Sequence, residues 1–501
     1  MPRIRGYYFF GLGDTFTHLG WTYDIVDGSV DPAEFRYPLF HLLAVSISSI
    51  ASISLRESLS LAALLFPVLF IITIPAIVKS GYGRYGGTIG LLCAATYPPL
   101  VHVGTGQLVP QPAAQSIFYF AIVVYAGYQS INSGKREWIL IFFILNTGLV
   151  LLHPQRAINF VIFYAGALAA VVIRELLLYR SLRSTSRRNI IQTILVGLIS
   201  YIWVIDKFEK AITLYMLRLV SLSSSTSRRV AMSTGGLSDL NASISELFIK
   251  LFLVPTIFCI ISLYLLNLIW ENKEIEQHNL NEYSYLVGGT AALSLFFVVA
   301  LGVGRLNPFR QLVVIFVVVT IMASISITKL SKRYYSTIGT SRTKLITVLI
   351  LLVLVLASIP TLHASPFIYR ASSNSPESYF TGYETQFEYW GGETHFSEVS
   401  SVGSRYKHAL KGTEQSQETN ISGVPYSLPR YSRVPDHFAN RSLEKEYPDG
   451  QIIAISSKDR KKYIDMYGGY RYRKSDFKWL NQTESVNRIY SNSGIDFYYV
   501  S

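Results

Sequence analysis

The chain has 501 residues, 50% of them hydrophobic and 15% charged, a balance that excludes an ordinary soluble globule, because so few charges cannot cover so large an apolar content. The formal net charge is +13, yet from residue 362 onward 17 basic residues stand against 16 acidic ones, so the excess belongs to the first part of the chain. Nucleic-acid binding needs a basic stripe on a suitable fold; the tail's "DRKKY" and "YRYRKSD" read instead as solvated faces, and no nucleic acid is expected as a partner.

The first notable stretch is "GLGDTFTHLGWTYDIVDG", residues 11 to 28. Helical spacing from Asp14 puts Phe16, Leu19, Tyr23 and Val26 on one side and Asp14, His18 and Trp21 on the other. The pattern predicts an amphipathic interfacial helix that offers an acid and an imidazole to water. Asp14 reads as its N-cap and Gly28 as its stop, although a capping carboxylate can still present an oxygen to a substrate. His18 taken alone reads as a structural hydrogen-bonding residue, and Asp24 and Asp27 as solvated. The next run, "YPLFHLLAVSISSIAS" from 37 to 52, is short and serine-rich and fits a juxtamembrane helix lying along the interface.

Apolar runs of spanning length follow at about 58–78, 86–104, 113–131, 137–153, 157–178, 189–205, 247–269, 284–304, 309–328 and 343–361, which predicts about ten spans. If residues 37–52 do not cross and the chain starts outside, the inner loops are "KSGYGRYGG", "SINSGKRE", "YRSLRSTSRR", "ENKEIEQHNLNEY" and "KLSKRYYSTIGTSRTK". Most are basic, as cytoplasmic loops should be. The loops around 105–112, 153–156, 206–246 and 304–308 then face outside with everything after 361. This is a multi-pass protein of the cell membrane with an extracytoplasmic C-terminus. The sequons at Asn241, Asn420, Asn440 and Asn481 fall on that same side.

Two outer helix starts share a pattern. In "HPQRAINF" His153 precedes Pro154 and Arg156; in "NPFRQLVV" Asn307 looks like a cap, Pro308 is the first helical residue, and Arg310 lies in the first turn. An arginine in a first turn opposes the helix dipole and is easier to understand if an anion sits there, held by backbone N–H groups and guanidinium together. Arg305 adds to the second cluster. The competing reading is that these arginines anchor lipid headgroups.

From 362 the composition turns to Tyr, Ser, Gly and charged residues. "ASSNSPESYFTGYETQFEYWGGETHFSEVSSVGSRY" reads as loop, whereas "QIIAIS" and "SVNRIYSNSGIDFYYVS" alternate like strands. Three regions result: 1–57 with the first external loop and its amphipathic helices, 58–361 with the membrane helices, and 362–501 as a small α/β domain. The fold class is mainly α, a polytopic transmembrane helical bundle with a small C-terminal extracytoplasmic α/β domain. Both cysteines, Cys93 and Cys259, lie inside apolar runs, and no Cys/His cluster has zinc spacing.

The runs "RGYYFFGLGDTFTHLGW", "YPLFHLL", "GRYGGTIGLLCAATYPPLVHVGTGQ" and "LLHPQRA" resemble the GT-C superfamily of polyprenyl-phosphate-sugar-dependent glycosyltransferases, in particular archaeal protein mannosyltransferase-like and aminoarabinose transferase-like members. The resemblance covers order and topology over about residues 5–330, and "NRIYSNSGIDFYYVS" is similar to the closing strands of the family's exported domains. It implies that a first external loop supplies a carboxylate acting as general base on the acceptor, and Asp14 is the matching position. It also implies a membrane lipid, a polyprenyl-phosphate sugar and a glycan, lipid or protein acceptor as partners.

The site expected from both lines has Asp14 as catalytic base and His18, His102, His153, Arg156, Arg305 and Arg310 around the substrate, the arginines by helix-start geometry. The second external loop, "HVGTGQLVPQP", carries His102, Gln107 and Gln111 where metal-dependent oligosaccharyltransferases place an acidic pair, so no metal and no other cofactor is expected. The start, "MPRIRGYYFFGLGD", has no apolar helix before the first external loop. Either the following spans carry it across or a first helix is missing. Two other classes stay open: a lipid or polysaccharide transporter or flippase, expected to show ionisable residues within its spans, and a non-catalytic cell-surface assembly protein.

Overall fold

The computed structural model describes residues 5–96, 109–133, 135–179, 191–203, 243–271, 277–302, 308–361, 365–389, 396–399, 403–418, 434–441 and 443–501. His102, Gln107, Arg305, Asn307 and the sequons at Asn241 and Asn420 lie outside these residues.

The helices, in chain order, are α1 (Asp14–Asp27), α2 (Pro38–Ala51), α3 (Leu55–Thr96), α4 (Pro112–Asn132), α5 (Arg136–Leu152), α6 (Pro154–Tyr179), α7 (Ile191–Trp203), α8 (Ile244–Ser262), α9 (Tyr264–Glu271), α10 (Gln277–Gly302), α11 (Pro308–Arg333), α12 (Thr340–Ser358), α13 (Glu377–Tyr389), α14 (Gly403–Lys411) and α15 (Thr413–Glu418). Among the described residues six helical stretches are long and apolar enough to cross a membrane: Leu55–Thr96, Pro154–Leu177, Phe248–Ile269, Glu282–Leu301, Gln311–Arg333 and Thr340–Ser358.

The ten apolar runs therefore divide by length and polarity. The 42-residue α3 breaks at Gly83, whose φ of 72° and ψ of −170° no helix contains, and it folds into a hairpin. Gly90 then lies so close to the first arm that an added Cβ would stand 3.0 Å from the Cα of Pro75. Its two arms are the first two runs, joined at the "KSGYGRYGG" turn. α5 has 17 residues, about 25 Å at 1.5 Å per residue, just short of a hydrocarbon core. α4 has 21 residues and is buried along most of its length with Gln115, Ser116 and Ser130 inside, and the Ser116 and Ser130 hydroxyls return to backbone carbonyls of their own helix. α2, at 14 residues, packs between α1 and α3 and is too short to cross. The most apolar window of Gln311–Arg333 is 89% buried and that of Thr340–Ser358 only 11%, so α11 is the axis of the bundle and α12 a peripheral helix with Leu345, Leu349, Val353 and Leu356 turned outward.

Among the described residues α6 and α10 share the most extensive helix–helix contact. Gly166, Ala170, Gly288 and Ala292 form a small-residue seam in which a Cβ on Gly288 would come within 2.6 Å of the Gly166 carbonyl oxygen, the close approach that small residues permit in membranes.

The strands in chain order are β1 (Phe9–Phe10), β2 (Asn374–Ser375) and, in the C-terminal part, β3 (Phe396–Glu398), β4 (Gln451–Ser456), β5 (Val486–Ser491) and β6 (Ile495–Val500), the last four in one sheet in the order β3-β4-β6-β5. β3 runs parallel to β4 and the other pairings are antiparallel. The strand period of two separates two cores: Ile452, Ala454, Ile495 and Phe497 face a core continuous with the membrane bundle, and Ile453, Ile455, Tyr498 and Val500 face a smaller one with Val399, Tyr472 and Phe477. "QIIAIS" and the final hairpin are strands as expected. The segment expected to be loop is not: it holds Asn374–Ser375, the helix α13, β3 and the start of α14. Tyr379, Phe380, Tyr383 and Phe387 form a buried aromatic stripe along α13 that the serine-rich stretches on either side of it hide.

A two-residue strand, Phe9–Phe10, pairs antiparallel with Asn374–Ser375 and stitches the start of the chain to the segment after the last membrane helix. Phe9, Phe16, Phe380 and Tyr406 cluster there, mostly edge to face, at centroid distances of 4.3–6.2 Å.

Candidate functional site

α1 begins one residue earlier than its sequence suggests. Gly13 is the cap, with φ 59°, a left-handed value that favours glycine, and no side chain caps the helix. Asp14 is the first helical residue, so its carboxylate is not spent on capping. Gly28 ends the helix in the left-handed conformation, φ 77°, as expected.

The expected division into an apolar face and a watery face does not hold. α1 lies between α2 and α14, and Phe16, His18, Leu19, Gly20 and Asp24 are all buried while Val26 is exposed. Gly20 is the contact point: a Cβ there would stand 2.5 Å from the carbonyl oxygen of His408. Asp24, read as solvated, is 1% exposed and accepts hydrogen bonds from the backbone N–H and the hydroxyl of Thr413, closing the start of α15. Burial nonetheless raises its pKa above the ordinary carboxylate value. Asp27 is exposed, as expected.

α14 brings residues that sequence reasoning did not single out. Arg405 and His408, three apart on one face of α14, meet Asp14 and Thr17, three apart on α1. An Arg405 Nη2 stands 3.1 Å from Asp14 Oδ1, with the two side chains 25% and 59% exposed. The other guanidinium nitrogen, Nη1, donates to Thr17 Oγ1, and Thr17 Oγ1 lies 3.1 Å from His408 Nδ1. The i, i+3 spacing of "RYKH" was the available signal, hidden because the stretch that leads into it, up to Tyr406, reads as loop.

On the other side of α1, His18 Nδ1 lies 3.0 Å from His41 Nε2, and His41 Nδ1 lies 3.1 Å from the Tyr37 carbonyl oxygen. Tyr37 stacks on His153 at 5.8 Å with rings 10° apart. Burial holds His41 down to about 4. Burial, then the fields of His41, His153 and Arg405, keeps His18 well below the usual imidazole value. His408 is pushed down to about 4 by burial and by Arg405 and Lys407. All three imidazoles are therefore neutral at pH 7, while Asp14 and Arg405 bring a carboxylate and a guanidinium to the start of α1.

These groups open into one cavity of about 300 Å³ lined by Asp14, Thr17, His18, Trp21, Tyr37, Gln111, Pro112, Ala113, His153 and Arg405. The loop helices, the starts of α4 and α6 and the C-terminal α14 thus share one end of the bundle. Of the expected residues, Asp14, His18 and His153 come together there. Arg156 is fully buried, which does not suit a lipid-headgroup anchor, and it is not part of the lining; its N–H closes the first turn of α6 on the His153 carbonyl at 2.9 Å. α11 is helical from Pro308 onward, but Asn307 before it, and the side chain of Arg310, like Arg305 and His102, lie outside what the structure describes. Among the described residues the guanidinium that reaches Asp14 is that of Arg405. Among the described residues no three His, Cys, Asp or Glu side chains are grouped to hold a metal ion.

No family model matches the sequence, and no curated protein does. Solved structures do match. ArnT from Cupriavidus metallidurans bound to undecaprenyl phosphate has a TM-score of 0.49 and 11% identity, over 98% of this chain and 94% of that one. Oligosaccharyltransferase AglB from Archaeoglobus fulgidus, in complex with an inhibitory peptide and a dolichol-phosphate, has a TM-score of 0.48 and 11% identity, over 98% and 71%. The Archaeoglobus fulgidus oligosaccharyltransferase in complex with Zn and sulfate has a TM-score of 0.50 and 12% identity, over 98% and 69%. At that identity the last match shows the fold alone: over 98% of its length the chain shares the polytopic helical fold of that oligosaccharyltransferase structure.

Proposed function

We propose that the protein is a membrane glycosyltransferase that moves a sugar from a polyprenyl-phosphate donor to an acceptor at the outer membrane face, with Asp14 as general base. The observation that supports this most is the meeting of Asp14 and Arg405 at 3.1 Å on the wall of a cavity of about 300 Å³ at one end of a GT-C bundle. An acceptor O–H attacks the anomeric carbon, the bond from that carbon to the phosphate oxygen breaks, and polyprenyl phosphate leaves with the electron pair. Asp14 takes the acceptor's proton. A guanidinium stabilises the charge that grows on the phosphate; Arg405 is the candidate beside Asp14, with Arg156, Arg305 and Arg310 as the helix-start arginines for the same task. Gln111, His18 and His153 orient the sugar and the acceptor. The reaction is written without a metal. The basic stretches at the opposite end among the described residues, such as that around Lys329–Arg333, support the cavity end as the extracytoplasmic one.

The test is transfer by purified protein from a panel of polyprenyl-phosphate sugars. Asp14→Asn is expected to lower the rate by about 10²- to 10⁴-fold, the usual worth of a positioned base. Undiminished transfer removes Asp14 from that role, and no transfer by the wild type from any donor favours the transporter or assembly classes.

A further inference from the structure

Tyr37, His41 and His18 form a directional chain whose end is in the cavity. A backbone carbonyl only accepts hydrogen bonds, so the His41 nitrogen 3.1 Å from the Tyr37 oxygen is the one that carries the proton, Nδ1–H. In a neutral ring Nε2 is then a bare acceptor, and His41 is buried and held neutral. The contact of 3.0 Å to His18 must therefore be donated by His18 Nδ1–H. That leaves His18 Nε2 with a lone pair. His18 lines the cavity, and among the described residues its side-chain hydrogen bond is the one that Nδ1 makes to His41, which leaves the Nε2 lone pair to the cavity.

We infer that His41 is a positioning residue that locks His18 in its Nδ1–H tautomer, so that His18 Nε2 serves as a fixed hydrogen-bond acceptor for a hydroxyl of the sugar or of a hydroxyl-bearing acceptor. The inference rests on the transferase reading for the ligand, and on geometry alone for the tautomer. Asp14 and His18, four apart on α1, then divide the work: the carboxylate takes the transferred proton and the imidazole orients a donor group without being protonated. An anionic group offers His18 nothing to accept, which makes this wall of the cavity selective for hydroxyls and leaves phosphate to Arg405.

The test needs no natural substrate. Protein with ¹⁵N-labelled histidine, in nanodiscs at neutral pH, is measured by long-range ¹H–¹⁵N correlation, with His18→Gln assigning the signal. The expected result is His18 protonated on Nδ1 and bare on Nε2. His41→Gln, whose amide oxygen can accept in place of Nε2, keeps that tautomer. His41→Phe gives a tautomer mixture. Titration with methyl α-D-mannopyranoside is expected to move the His18 Nε2 resonance in the wild type and in His41→Gln, and to move it less in His41→Phe. A wild-type His18 protonated on Nε2, or an unchanged tautomer in a folded His41→Phe, overturns the lock; an Nε2 resonance that the mannoside leaves in place overturns the hydroxyl-acceptor role. Failure of the transferase reading shows separately, as absent sugar transfer with the tautomer intact.

Discussion

Asp14 and Arg405 are partly exposed, and pairs of that kind contribute only about 0–1 kcal/mol to stability. Their importance is positional: Arg405 also grips Thr17, which fixes where the guanidinium sits relative to the carboxylate. The histidines carry the stability consequence. His41 has a folded value of about 4 against an ordinary 6.5, so both states are neutral above 6.5 and its burial costs nothing there. Between 6.5 and 4 the unfolded chain takes up a proton that the folded chain refuses, and stability falls by about 3 kcal/mol over that window. His18 and His408 shift in the same direction. Asp24, raised by burial, acts in the opposite sense at the acid end. The thermal midpoint of the detergent-solubilised protein is expected to drop as pH goes from 6.5 to 4, and less so in His41→Gln; a flat or rising midpoint would contradict the buried, neutral state of these rings.

At the level of elements, close backbone approach decides which glycines matter. Gly288 faces Ala170 and Gly166 across the seam of α6 and α10, with Cβ clashes to backbone and side chain alike. Gly288→Val is expected to cost about 1–3 kcal/mol or more through overpacking, read as a lower thermal midpoint. Gly197, in α7, would place an added Cβ in open space, with nothing within 4 Å, so Gly197→Ala should be neutral or stabilising by about 0.5–1 kcal/mol. Equal effects of the two would mean that the seam is looser than described. The same physics folds α3: with Gly83 at the turn and Gly86, Gly87 and Gly90 against the first arm, two apolar runs become one tight hairpin.

For the molecule as a whole, the last sheet divides two cores, one of them shared with the membrane bundle, so the C-terminal region is built onto the cavity end and supplies Arg405 to it. The positive-inside pattern then predicts that this end is outside. With Cys93 and Cys259 replaced by Ser, Glu484→Cys, at an exposed position, should react with a membrane-impermeant maleimide in intact cells. Reaction only after lysis would reverse the orientation.

Length and apolarity are local properties, which is why the helical runs, the strands of "QIIAIS" and the final hairpin, and the Gly28 stop were legible in the sequence. Asp14 was legible too, as an acid at the start of a short helix beside the membrane. The role of Arg405 was not, nor that of His41, because each matters only through a partner far along the chain: Arg405 through Asp14, His41 through His18. The α13 segment was misread since its aromatic stripe gains meaning only against a core to bury it. Sequence alone determined that this chain enters a membrane and where its long apolar helices run, because those depend on what each stretch does with water. Tertiary structure decided which carboxylate, guanidinium and imidazoles share a cavity, because hydrogen bonds and ion pairs act over about 3 Å and only folding brings such residues that close.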